Sequence, residues 1–137
     1  MKTKKFRKSS KTRLGKIETN NVILEEAERK TILLLKEFGF NIEVIRPVNT
    51  PKTENPDVLI SGTIWEIKTP TTHNLKTIKK RLHKASLQSS CIIFDLRFVK
   101  KNQQEIKTYI LKQFSNKPRI RKIILITSDN DLVEFSK

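Results

Sequence analysis

Cysteine is almost absent from this sequence, and acid is scarce. One cysteine, Cys91, cannot form an internal disulfide, and no Cys/His cluster has zinc spacing. Cys91 lies inside the apolar run CIIFDL and reads as a small buried hydrophobe of a protein in a reducing compartment. No apolar run approaches the ~20 residues that span a bilayer. The basic N-terminus has no hydrophobic segment behind it, so it does not read as a secretory signal. Internal repeats are also lacking. The expectation is one soluble, cytoplasmic domain without a membrane partner, since 137 residues suffice for a single sheet-and-helix core.

What the chain has in excess is positive charge: 29 Lys and Arg against 14 Asp and Glu, a formal net charge of +15. A field of that sign concentrates polyanions and speeds their encounter, which makes nucleic acid the leading partner class. Residues 1–16, MKTKKFRKSSKTRLGK, hold eight of the basic residues and no acid. Like charges repel and little there can be buried, so residues 1–19 are expected to form a basic, disordered arm, with the domain over residues 20–137. Such an arm either neutralises phosphates or only aids solubility.

Residues 20–38 predict the first helix, capped by Asn20 or Asn21 and ended by Gly39, with Ile23, Ala27, Leu34 and Phe38 on its apolar face. A strand is expected over 41–48 and a polar loop with Pro51 and Pro56 over 49–56. DVLI and TIWEIKT then form a hairpin around Ser61-Gly62. A helix over 72–88 places Ile78, Leu82 and Ala85 inward, and the run at 91–99 reads as a central strand covered on both faces. A helix at 102–115 and strands at 121–128 and 132–135 complete the order α-β-β-β-α-β-α-β-β. This predicts an α/β (α+β) domain with a mixed central sheet.

The hairpin carries the chemistry. Residues two apart in a strand share a face, so Trp65 and Ile67 are expected in the core while Glu66 and Lys68 stand together at the opposite surface. The Ser61-Gly62 turn brings Asp57, just after Pro56, near Glu66 to Lys68. Two carboxylates and an amine at one place suit a divalent metal such as Mg2+, with Asp57 and Glu66 as ligands. Without a metal, a carboxylate can act as base for a ribose 2′-hydroxyl while the lysine stabilises charge on phosphorus. As a bare surface ion pair, Glu66 and Lys68 would be worth only about 0–1 kcal/mol.

The hairpin, with a helix before it and one after, resembles the PD-(D/E)XK nuclease pattern at Pro56, Asp57, Glu66 and Lys68. A wider resemblance covers roughly residues 22–134. The stretches NPDVLISGTIWEIKTPT, TIKKRLHKASLQSSCIIFDLR and IILITSD resemble the C-terminal tRNA-nuclease domain of CdiA-type contact-dependent growth-inhibition toxins. The shared pattern is a PDxLI-x-G-x-WExKxP hairpin, a T-I…A-x-x-Q-S helix and an apolar strand ending D-L-R. It matches here at Gly62, Trp65, Pro70, Thr77, Ala85, Gln88, Ser89, Asp95 and Arg97 besides the four hairpin residues. The resemblance implies a ribonuclease acting on tRNA, in some members with elongation factor Tu, and an acidic immunity protein as partner. It leaves metal-dependent and metal-free mechanisms open. In this chain PTTHNLKT lacks the glycine of the family's loop and carries His73 there.

Among the remaining residues, His73 is a candidate acid or base and His83 a surface residue. Lys76, Lys79, Lys80, Arg81 and Lys84 form a phosphate track or a solvated basic face. Thr77 is either a phosphate contact at a helix N-terminus or a residue of the capping region. Asp95 and Arg97 either pair with one another or support the site, and Gln88 either satisfies backbone after its helix or reaches the site. The resulting expectation is a nuclease cleaving RNA, tRNA first, through Asp57, Glu66 and Lys68. The alternatives are a metal-dependent DNA endonuclease and a non-catalytic nucleic-acid-binding module on a degenerate nuclease scaffold.

Overall fold

Ser61 and Gly62 both take left-handed backbone, with φ of 51° and 82°. That pair of conformations makes a type I′ turn, whose twist matches that of its strands. The turn joins β4 (Asp57–Ile60) to β5 (Thr63–Lys68) and sets their register, with Val58 opposite Trp65 and Asp57 opposite Glu66. The structure is a computed structural model and describes residues 1–8, 11–45 and 57–137, Asp57 by its backbone alone. The expected loop at 49–56, and the end of the strand expected over 41–48, lie outside the described residues.

The other elements are β1 (Lys2–Phe6), β2 (Ile17–Glu18), α1 (Glu26–Glu37), β3 (Ile42–Val44), α2 (Leu75–Gln88), β6 (Cys91–Asp95), a 3-10 turn (Leu96–Phe98), α3 (Gln103–Ser115), β7 (Lys122–Ile126) and β8 (Leu132–Ser136). They build one mixed sheet ordered β1-β8-β7-β6-β5-β4-β3-β2. Its middle, β5-β6-β7, is parallel, with α2 and α3 making the two crossovers. From α1 onward the order is the expected one.

Strand alternation sends alternate residues into two cores. Trp65, Ile67, Cys91 and Ile93 pack with Ile32 and Leu35 of α1 on one face. Ile92, Phe94, Ile123 and Leu125 pack with Ile78, Leu82, Ile106 and Ile110 of α2 and α3 on the other. With helices on both faces, β6 is buried along its whole length, as its continuous apolar run requires. It ends at Asp95 rather than running to residue 99, because the Asp95 carboxylate accepts the Arg97 N–H at 3.1 Å and turns the chain into the 3-10 segment. No helix among the described residues is long and apolar enough to cross a membrane.

Two expectations at the N-terminal end are corrected. The first helix starts at Glu26, not near Asn20. Asn20 and Asn21 have φ of 50° and 62°, so they shape a turn, and the Asn20 amide donates to Glu43 Oε2 and the Val44 carbonyl of β3. Glu25 is the N-cap, in a reciprocal capping box with Glu28. Ile23, expected on the apolar face, is 97% exposed.

The expected disordered arm is also built into the sheet. β1 pairs antiparallel with β8, and β2 pairs parallel with β3, so the first 18 residues supply both edge strands. The repulsion among its lysines is met locally: Lys5 lies 3.6 Å from Asp131, Lys8 3.4 Å from Glu37, and the Lys4 ammonium sits over the Phe6 ring. Phe6 packs edge-on against Phe40 at 5.0 Å, which brings β1 at one edge of the sheet against the residues entering β3 near the other. The sheet therefore curls around α1. A lysine-rich edge strand also discourages pairing with another chain.

Candidate active site in the β4–β5 hairpin

The hairpin register puts Asp57 opposite Glu66, while β6 runs alongside with Ile92 at Glu66 and Phe94 at Lys68. Glu66 and Lys68 thus share the face of Ile92 and Phe94, the face that α2 covers. Expected at the surface, Glu66 is fully buried and Lys68 only 3% exposed. Alternation does put Glu66 and Lys68 on one face, but both faces of β5 are covered. The Lys68 ammonium stands 3.4 Å from Glu66 Oε1. A buried pair of this kind is seldom a stabilising device, because desolvation offsets much of its Coulomb gain. Buried charges at the C-terminal end of a parallel strand fit a functional role better.

A third charged residue, not singled out in the sequence, comes from α1. Glu28 is 4% exposed, and its Oε1 accepts the Glu25 N–H at 3.1 Å. Burial pushes its carboxyl above the ordinary glutamate value; the Glu25 N–H lowers it, the Glu25 charge raises it and the nearby Lys68 charge lowers it. Glu28 therefore stands within electrostatic reach of Lys68. Its signal in the sequence was helical phase: with Thr31, Ile32 and Leu35 it occupies the buried stripe of α1.

This raised pKa has a measurable consequence. The Glu28 carboxyl holds its proton more tightly in the folded chain than in the unfolded one, so its contribution is full below 4.5 and is lost as pH rises above it. Glu28→Gln removes that loss. The urea midpoint of the variant relative to the wild type should rise between about pH 3.5 and about pH 7. A constant difference across that range would contradict the burial of this carboxyl.

At the end of β6, Asp95 is fully buried and its carboxylate is saturated with donors. Oδ1 accepts the Arg97 Nε–H at 2.9 Å, and Oδ2 accepts Arg97 Nη2 at 2.7 Å and the Thr31 hydroxyl at 2.6 Å. Of the two roles expected for Asp95 and Arg97, the mutual ion pair is present, and it reaches α1 through Thr31.

Other expected site residues lie on the surface. His73 is exposed in the segment between β5 and α2. Asn74 caps α2, accepting from Lys76 N at 2.9 Å and Thr77 N at 3.3 Å, so Thr77 belongs to the capping region. Lys76, Lys79, Lys80, His83 and Lys84 are exposed and Arg81 half-buried. They give α2 a basic outer side. Gln88, the last residue of α2, is exposed, and Ser89 beyond it donates to the Ile64 carbonyl, two residues before Glu66. Among the described residues no three His, Cys, Asp or Glu side chains converge as a metal site, and Glu66 is engaged by Lys68.

The fold is similar to that of a chain in the CdiA-CT/CdiI toxin and immunity complex from Burkholderia pseudomallei, with a TM-score of 0.67 and 20% identity. The match covers 90% of this chain and 100% of that one. At this identity the likeness speaks for the fold. A comparison with curated proteins returns no match. Residues 53–132, from before the hairpin through β7, match the model of the contact-dependent growth inhibition CdiA C-terminal domain. That span is more than half of the chain, and the chain belongs to the contact-dependent growth inhibition CdiA C-terminal domain family.

Proposed function

We propose that this chain is a growth-inhibition toxin domain that cleaves RNA, tRNA first, with Asp57, Glu66 and Lys68 as its reacting groups. The observation that carries the reading is the buried Glu66–Lys68 pair beside Asp57 in register, inside a strongly basic domain. Glu66 takes the proton of a ribose 2′-hydroxyl, whose oxygen attacks phosphorus as the bond to the 5′-oxygen breaks. The Lys68 ammonium balances the charge that develops on the phosphoryl oxygens. Lys76, Lys79, Lys80, Arg81 and Lys84 supply sequence-independent phosphate contacts, and His73 is the candidate acid for the leaving oxygen. Since Glu66 is fully buried, the phosphodiester reaches it only after the elements over the end of β5 have moved. The toxin and immunity complex of similar fold supports an immunity protein as partner, and the +15 charge suits an acidic one that covers the basic face.

The test is incubation of the purified protein with total tRNA and with plasmid DNA, each in magnesium or EDTA, with and without elongation factor Tu. Cleaved tRNA and intact plasmid are the expected result. The magnesium and EDTA arms decide whether Asp57 and Glu66 act as ligands or as base. Cut plasmid with intact tRNA would make this a metal-dependent DNA endonuclease. Salt-sensitive binding without products would make it a binding module.

A further inference from the structure

Asp95 sits one residue beyond Phe94, the register partner of Lys68 on the adjacent parallel strand. Its carboxylate accepts from the Arg97 backbone N–H and from two guanidinium nitrogens, while the same Arg97 Nη2 also donates to the Lys30 carbonyl of α1 at 3.1 Å. The Thr31 hydroxyl completes the set from α1 at 2.6 Å. Two consecutive residues of α1 are thus pinned to the end of β6. Glu28 lies one helical turn before Thr31 on the same buried stripe.

We propose that Asp95, Arg97 and Thr31 are positioning residues for the Glu66–Lys68 centre: they seat the N-terminal half of α1, and with it the buried Glu28, against the end of β6, the strand whose Phe94 lies beside Lys68. Packing on α1 comes from Ile32, Leu34 and Leu35, toward the middle and end of the helix, and apolar contacts tolerate sliding. A planar guanidinium fork on a carboxylate, with a carbonyl bonded at the same time, does not tolerate it. The network therefore sets the rotation and height of the N-terminal half of α1. Displacing a charged group by about 1 Å at a reacting centre can lower a rate by as much as a hundredfold. An ion pair with a fully buried carboxylate would add little net stability over an apolar pair, so orientation is the property it supplies.

Thr31→Val and Arg97→Lys test this, with Thr31→Ser as the conservative control. The proposal rests on the catalytic reading of Glu66 and Lys68, so two readouts are needed. In tRNA cleavage, kcat should fall about tenfold in Thr31→Val and Arg97→Lys with KM within about twofold of wild type, and Thr31→Ser should restore kcat. By carboxyl-carbon NMR, the Glu28 side chain, which accepts from the Glu25 N–H and feels the Lys68 charge, should change its titration midpoint in Thr31→Val but not in Thr31→Ser. An unchanged Glu28 titration in Thr31→Val overturns the proposal whatever kcat does. A wild-type kcat in the folded variant, with only a lowered melting temperature, overturns it as well. If the wild-type chain cleaves neither nucleic acid, the catalytic reading fails alone, and the NMR comparison still decides whether the network seats Glu28.

Discussion

Lys68→Met is expected to reduce tRNA cleavage by at least about a thousandfold and to destabilise the chain by about 3–5 kcal/mol at neutral pH. Methionine fills the volume of the lysine stem, so packing in the core is nearly kept. What goes is the cation 3.4 Å from a fully buried carboxylate. Removing one member of a buried pair leaves the other charge in a medium that solvates it poorly. Glu66→Gln in the same background neutralises that charge. The double variant Glu66→Gln/Lys68→Met should accordingly be more stable than Lys68→Met alone while remaining inactive. Urea denaturation of the four proteins of this cycle, read beside their tRNA cleavage, separates the two roles. A tRNA pool degraded at the wild-type rate by both single variants would sink the catalytic assignment. A double variant as unstable as Lys68→Met would show that the buried charge is not the source of the instability.

How much of this site was legible in the sequence depends on the range of the interactions that build it. The hairpin was legible because its register is set within ten residues: Ser61 and Gly62 fix the turn, and Asp57 then falls opposite Glu66. Asp57, Glu66 and Lys68 could be grouped for the same reason. The burial of Glu66 and Lys68 was not legible, because alternation tells which residues share a face but not whether a helix covers it. The cover comes from Ile78, Leu82 and Ala85 of α2, whose docking is a tertiary event. Glu28 was missed for a related reason. An acid in the first helical turn is explained by the helix dipole, which hides the fact that this one also lies on the buried stripe. The end of β6 was misplaced because an apolar run does not announce that Asp95 will turn the chain by accepting the Arg97 N–H.

The N-terminal residues make the clearest case of a long-range element. No local pattern marks MKTKKF as a strand, since β1 exists through pairing with β8 at the other end of the chain. Because this segment is built into the sheet, its removal should destabilise the domain and not merely weaken its hold on polyanions. Deleting residues 1–18 is expected to cost about 3–5 kcal/mol, through the lost burial of Phe6 and Ile17 and the loss of two edge ladders. A sharper variant is Gly15→Ala. The Gly15 N–H donates to the Lys36 carbonyl at 2.9 Å, next door Lys16 N donates to Asn41 Oδ1 and the Lys16 carbonyl accepts from Ile42 N. A Cβ on Gly15 would lie 1.7 Å from the Phe40 carbonyl oxygen, an approach that only backbone movement relieves. One methyl group there should cost about 2–4 kcal/mol, whereas Lys2→Ala on the exposed edge strand should change stability by less than about 0.5 kcal/mol. Urea midpoints of the two variants decide between the roles. A disordered arm predicts wild-type midpoints for both, together with a salt dependence of RNA binding that falls as basic residues are removed. A strap that closes the curled sheet predicts a lower midpoint for Gly15→Ala alone, with its charge and the salt dependence of RNA binding by the folded protein unchanged.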